Sequence, residues 1–265
     1  MGGQQSFPDD VNEQILLVCM EAESFAQKCC RLPPDHAVMI GKRRLSSIIE
    51  PGQANACSEM LRAVFWGVSS AHTRNVNNRP ITSVHTPSAL GGKSQSALTR
   101  AFLLMTDEQR EDTRNCLINQ PKHVVEEWIG DCVGAFAVAR AAYQLLSRRV
   151  PTILPKRKID AFSRIDLIGK INRFDPIHLC FQIKRASIGV PSTLVFLEDQ
   201  SFKDQSEDLQ FLRRDMTRFA EKYTLRCLPM ILWVGDDDVG PWDIRGGQTL
   251  NQLMDDLIEY TRFMD

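Results

Sequence analysis

Asp166, Gln182 and Lys184 have the types and spacing that phosphodiester chemistry needs. Asp166 interrupts an apolar run, Arg164-Ile-Asp-Leu-Ile-Gly169, and sixteen residues on a second run, Leu179-Cys-Phe-Gln-Ile-Lys-Arg185, carries Gln182 and Lys184. Both runs read as β-strands. Side chains alternate along a strand, so Gln182 and Lys184 share one face while Phe181 and Ile183 turn to the other. If the two strands pair antiparallel, Asp166, Gln182 and Lys184 converge at one end of the sheet. A hard divalent cation takes oxygen ligands, which the Asp166 carboxylate and the Gln182 carbonyl supply. Such a cation polarises a phosphate and lowers the pKa of water. Lys184 can orient or deprotonate that water and offset charge developing in the transition state. One carboxylate and one amide are a thin set for Mg²⁺, so another acid is sought. Asp160, close to Lys158, reads as a solvated loop acid. A plain structural reading stays open, with Asp166 and Lys184 as a strand-to-strand ion pair and Gln182 at the surface.

The elements that must position these residues follow from hydrophobic periodicity. Val11, Ile15, Val18, Ala22, Phe25, Ala26 and Cys29 keep to one helix face, and Pro33-Pro34 stops that helix. A second stripe runs through Cys57, Met60, Leu61, Val64, Phe65 and Val68. Ser69 to Ser96 is rich in Ser, Asn, His, Arg, Pro and Gly and reads as one long loop, of a length associated with function or mobility. Thr106-Asp-Glu-Gln109 has the form of a capping box opening a short helix to about Ile118. After Pro121, Val125, Trp128, Ile129, Cys132, Phe136 and Tyr143 mark a long amphipathic helix that ends near Arg148-Arg149. Short β-type runs follow at Ile165–Ile171, Ile177–Ile183, Thr193–Leu197 and Met230–Val234. A helix from about Glu207 to Tyr223 separates the last two, and a final helix uses Leu250, Leu253, Met254, Leu257 and Thr261. The layout is α/β, without an internal repeat.

Helix, then Ile165-Asp-Leu-Ile-Gly169, then Phe181-Gln-Ile-Lys184, then helix and strand, resembles the PD-(D/E)xK restriction-endonuclease-like superfamily over roughly residues 122–235. The nearest flavour is that of type IV restriction enzymes and Holliday-junction resolvases, in which Gln often replaces the second acid. The resemblance implies a mixed sheet flanked by helices, here preceded by a helical N-terminal half, and a division into residues 1–120 and 121–265. It implies metal-binding Asp166, Gln182 at the middle position and Lys184 as the catalytic lysine. Members of this flavour often add a Glu from the preceding helix. Counting 100° per residue from Val125, Glu126 lies beside the apolar face and Glu127 nearly opposite, which selects Glu126 as the third metal residue. Implied with these are Mg²⁺, with Mn²⁺ able to substitute, DNA as substrate, a restriction or phage-defence setting, and a homodimer to cut two strands. The sequence departs from the pattern at Gln182, which is not an acid, and at Ile165, which is not Pro. Gln120-Pro-Lys122 also matches Q-x-K, so strand context is what separates Gln182-Ile-Lys184 from the bare pattern.

Composition sets the outer bounds. The chain has 265 residues, 43% hydrophobic and 25% charged, with 15 Gly and 13 Pro. That excludes disordered, collagen-like and low-complexity classes. The longest apolar stretch, Cys132 to Leu146, is broken by Arg140 and falls short of the ~20 residues of a membrane span. Met1 to Asp10 carries no basic and apolar leader. Eight cysteines without a CxxC pair read as reduced thiols packed as small hydrophobes in a cytoplasm rather than as a zinc site. Net charge is −1, but it is segregated. Residues 60–106 hold no acid, against Arg62, Arg74, Arg79, Lys93 and Arg100, and residues 132–159 likewise hold only bases. Asp236 to Asp265 holds eight acids against Arg245 and Arg262. Such segregation can build a basic face on a neutral protein. Arg74, Arg79 and Lys93 in the acid-free loop, with Arg185 beside Lys184, are the expected DNA contacts.

Remaining patterns carry less. Gly91-Gly-Lys-Ser94 lacks the upstream glycine of a phosphate-binding loop, since position 87 is Pro. Arg214, Arg218 and Lys222 recur every four residues and suit either a phosphate backbone or a solvated helix face. Asp236-Asp-Asp238 reads as a solvent-facing turn. His178 abuts the Gln182 strand and reads as a strand-edge histidine. No histidine pairs with Ser or Cys in a nucleophile pattern. The expectation is therefore a Mg²⁺-dependent endodeoxyribonuclease. Two other classes stand beside it. One is a non-catalytic nucleic-acid-binding or regulatory protein on the same fold. The other is a protein-interaction module built on the helical half, which would leave an exposed apolar patch there.

Overall fold

The computed structural model describes residues 51–75, 87–111, 122–155, 164–172, 174–187, 189–197, 207–235 and 243–264. Two compact units meet in sequence between Phe136 and Ala137, inside a helix. The expected first helix, Val11 to Cys29, lies outside the described residues, as do Asp160 and Asp236-Asp-Asp238.

The first unit contains α1 (Pro51–Asn75), α2 (Pro87–Leu104) and the start of α3 (Lys122–Ser147). The stripe Cys57, Met60, Leu61, Val64, Phe65 and Val68 is buried, as its spacing requires. Phe102 meets Phe136 edge-on at 5.1 Å, and Thr99 Oγ1 donates to the Ala135 carbonyl at 3.2 Å. The capping box forms in both directions. The Thr106 N–H donates to Gln109 Oε1 at 3.1 Å, and the Gln109 N–H donates to Thr106 Oγ1 at 3.3 Å.

The expected loop does not span Ser69 to Ser96. α1 continues to Asn75, and α2 already runs from Pro87. Serine is tolerated in both helices because its hydroxyl finds a carbonyl. Ser69 Oγ donates to Phe65 O at 2.6 Å, and Ser94 Oγ donates to Ala63 O at 2.8 Å across the α1–α2 contact.

The second unit holds a five-stranded mixed sheet in the order β1-β2-β3-β5-β4. Its strands are β1 (Thr152–Ile153), β2 (Leu167–Ile171), β3 (Ile177–Arg185), β4 (Thr193–Phe196) and β5 (Arg226–Val234). β2 pairs antiparallel with β3, β3 parallel with β5, and β4 antiparallel with β5. α4 (Glu207–Tyr223) and α5 (Gln248–Arg262) complete it. One apolar stripe on α4, Leu212, Met216 and Phe219, covers Ile168, Cys180 and Ile231. On the opposite face Gly169 lets α3 approach β2, since a Cβ there would meet Leu145 at 3.2 Å and Val150 at 3.3 Å. Phe196 of β4 stacks on Tyr260 of α5 at 5.3 Å on that same face. The result is an α/β/α sandwich, compatible with the expected α/β class.

Arg140 of α3 is only 2% exposed. Its Nε donates to the Asp243 carbonyl at 2.8 Å and its Nη1 to the Gly235 carbonyl at 3.2 Å. It thereby ties the end of β5 to the segment that leads into α5. Gly235 is fixed by close approach, because a Cβ would lie 2.1 Å from the Val190 carbonyl oxygen. Ser192 Oγ accepts the Gly235 N–H at 2.9 Å.

Candidate functional site

The antiparallel β2–β3 pair brings Asp166 beside Gln182. The ladder sets Leu167 opposite Phe181 and Ile168 opposite Cys180, and the Asp166 N–H donates to the Phe181 carbonyl at 2.8 Å just ahead of the strand. Gln182 and Lys184 fall on the face that α4 covers, together with Cys180. Phe181 and Ile183 are buried against the other helices, as alternation requires. Asp166, Gln182 and Lys184 thus gather where the parallel strands β3 and β5 end. In open α/β sheets ligands bind outside the carboxyl ends of the strands.

The Asp166 carboxylate is held firmly. Gln182 Nε2 donates to Asp166 Oδ2 at 2.6 Å, and the Ile183 N–H donates to the same oxygen at 2.7 Å. Lys184 is exposed and stands in register with Trp233 of β5. Among the described residues Lys184 has no ion-pair partner, so the strand-to-strand pair with Asp166 is not formed. Arg164 lies two residues ahead of Asp166 with a left-handed backbone, φ 51°. That turn is what sends Ile165 into the core while Asp166 reaches the ladder. The Arg164 side chain, 48% exposed, lies 3.6 Å from the Asp215 carboxylate on α4.

To a hard cation the site offers one carboxylate, Asp166, and one amide, Gln182. Mg²⁺ is commonly held by one or two carboxylates together with substrate phosphates. A half-turn of the Gln182 amide exchanges its nitrogen for its oxygen, giving Asp166 and Gln182 two adjacent oxygen ligands. Among the described residues no group of three or more His, Cys, Asp or Glu gathers to hold a metal. Glu126 belongs to the part of α3 in the first unit, and its side chain lies outside the described residues.

The expected DNA contacts are dispersed. Lys93 sits on α2 with its Nζ 3.8 Å from the centroid of the Trp66 ring on α1. It is a packing cation of a helix pair, not a member of an open loop, which corrects its expected setting. Arg74 is in the last turn of α1 with its side chain outside the described residues, and Arg79 is wholly outside them. Arg185 is exposed at the end of β3 but alternates to the face opposite Lys184. His178 stands opposite Lys170 and Cys227, two rows from Gln182, with its Nδ1 buried and without a hydrogen-bond partner. The described cysteines, Cys57, Cys180 and Cys227, are free thiols. Burial pushes the Cys57 thiol up to about 12. Cys180 is raised by its hydrogen bond with Cys227 and by burial. Neither is a reactive nucleophile.

A cavity of about 600 Å³ opens beside α4, with Arg213, Arg214 and Arg218 in its wall. Sequence periodicity singled out the last two but not Arg213, and nothing local signalled a cavity. Asp166, Gln182 and Lys184 do not line it. Within the first unit, Leu104 is the one large hydrophobic side chain left exposed among the described residues. No helix among the described residues is long and apolar enough to cross a membrane. No protein-family model, no curated protein and no solved structure matches this chain.

Proposed function

We propose that the second unit is a metal-dependent endonuclease core of restriction-endonuclease-like type, hydrolysing phosphodiester bonds in DNA in a cytoplasmic restriction or phage-defence setting, as a homodimer. One observation carries this reading: the β2–β3 register that aligns Asp166 with Gln182 and sets Lys184 two residues on, exposed, on the same face. Asp166 and the Gln182 carbonyl would hold Mg²⁺, or Mn²⁺ in its place. Bound there, the cation would polarise the phosphate and lower the pKa of the attacking water, so that it loses its proton readily. The Ile183 N–H holds the Asp166 carboxylate in place before any substrate arrives. Lys184 contributes a mobile ammonium that orients the attacking water and stabilises charge on the phosphate oxygens.

The test is cleavage of plasmid, linear and single-stranded DNA with Mg²⁺ or Mn²⁺, alongside Asp166→Ala and Lys184→Ala. Cutting that is lost in EDTA and falls at least a hundredfold in both variants is the expected result. Cutting that survives both substitutions refutes the assignment. A second reading, a nucleic-acid-binding protein with a silent site, draws on the hydrogen bond by which the Gln182 nitrogen occupies Asp166. It predicts DNA binding without cleavage under every metal.

A further inference from the structure

Helix α4 carries a row of guanidiniums that the chemistry at Asp166 does not use. Arg213, Arg214 and Arg218 line the cavity of about 600 Å³, which has Leu197 and Leu209 as its apolar part and Glu221 at one end. Among the described residues neither Arg213 nor Arg218 has a carboxylate within ion-pair distance. Guanidiniums that face one recess without a carboxylate partner among the described residues suit an anionic ligand with several charges. Arg214 and Arg218 are four residues apart on the helix, about 6 Å along the axis, a spacing suited to consecutive phosphates of a strand.

Ion pairs link the cavity wall to the segment ahead of Asp166. Asp215 lies 3.6 Å from Arg164, two residues ahead of Asp166, and 3.9 Å from Arg214 on the cavity side. Its carboxylate is 20% exposed between guanidiniums that are 48% and 51% exposed. A run of ion pairs therefore leads from Arg164, two residues ahead of Asp166, through Asp215 to Arg214 in the cavity wall. The cavity falls within the range of small-ligand pockets, so a mononucleotide is the competing occupant. Continuity with the Asp166 site favours a strand.

We infer that this cavity is a phosphate-binding subsite for a nucleic-acid strand that continues past Asp166 across α4. The inference rests on the nucleic-acid reading of that site, and binding measured in EDTA separates it from catalysis. The probe is a fluorescein-labelled 20-nucleotide single-stranded DNA, titrated with the full chain by anisotropy from 50 to 300 mM NaCl. Arg213→Ala with Arg218→Ala should weaken binding at least tenfold at low salt. The slope of log K against log salt should become shallower by about 1.4, two contacts at roughly 0.7 each for a single strand. Arg262→Ala, on α5 across the sheet from α4, should bind as wild type, and Arg213→Lys with Arg218→Lys should recover most of the affinity. Thermal melts establish that each variant is folded.

Wild-type affinity or an unchanged salt slope in the folded double variant overturns the subsite. So does failure of the wild-type chain to bind the probe. Loss of ATP binding with DNA binding intact overturns it in favour of a mononucleotide pocket. If the wild type cuts nothing but the double variant still loses binding, the subsite stands and the catalytic assignment falls.

Discussion

Gln182 reaches Asp166 with its amide nitrogen, 2.6 Å from Oδ2, across an antiparallel ladder in which each residue's strand fixes the other's height. A cation would ask for the opposite end of that amide. The same two side chains can therefore form a hydrogen-bonded clasp in the free protein or an oxygen pair around a metal. The switch between them is a rotation about one bond.

Gln182→Glu converts the clasp into two adjacent carboxylates. Loss of the hydrogen bond, with like-charge repulsion, should cost about 1–3 kcal/mol without metal. Added Mg²⁺ should restore more stability to this variant than to wild type, because two charges attract the cation where one did. Thermal melts with EDTA and with Mg²⁺ measure both. Equal melting of variant and wild type in EDTA would mean that the clasp contributes nothing.

Arg140 predicts a stability effect remote from chemistry. Its guanidinium satisfies the Gly235 and Asp243 carbonyls inside the second unit. Arg140→Met keeps much of the apolar stem but leaves those oxygens short of donors, an expected loss of about 1–3 kcal/mol. Arg140→Ala adds a cavity and should cost about 3–5 kcal/mol. Urea unfolding followed by circular dichroism measures both, and an alanine variant within about 0.5 kcal/mol of wild type would contradict the buried role.

Acid stability should depend on Asp243. The Arg245 side chain and N–H hold its carboxylate below the ordinary 3.8, with the charge of Arg140 adding to the effect. A depressed folded value means the contribution is complete above the unfolded pKa and lost as pH falls through the folded one. Stability should begin to fall near pH 4 and decline further below it. Arg245 is 63% exposed, so solvent screening limits the contribution to under about 1 kcal/mol. Asp243→Asn should flatten that part of the acid limb in urea melts taken from pH 7 to 3. An unchanged limb would show that the pair does not report on folding.

How much of this was legible depended on how local each signal was. The stripes of α1, α4 and α5 repeat every three or four residues, and burial follows them closely. Asp166, Gln182 and Lys184 could be aligned because a hairpin is a short-range structure. β5 begins at Arg226, four residues before the expected Met230, because Pro229 and Arg226 break its apolar run. Pro229 lacks an N–H but still accepts one from Leu197 at 2.9 Å. β1, two residues long, is too short to leave a pattern. Polar composition misled over residues 69–75 and 87–96, where serine hydroxyls and the Lys93–Trp66 contact accompany a polar sequence that is helical. Nor did composition reveal the parallel pairing of β3 with β5, since no local feature names a distant partner.

The two neighbours of β3 differ in how far along the chain they lie. The Asp166–Gln182 contact closes over 16 residues, whereas the Lys184–Trp233 register closes over about three times that span. Loop closure disfavours the longer span, and non-local parallel pairing is slow. During synthesis the hairpin residues leave the ribosome before α4 and β5 exist. The clasp at Asp166 can therefore form on a nascent chain, while the wall behind Lys184 and the arginine row above it are added only when the rest of the unit arrives.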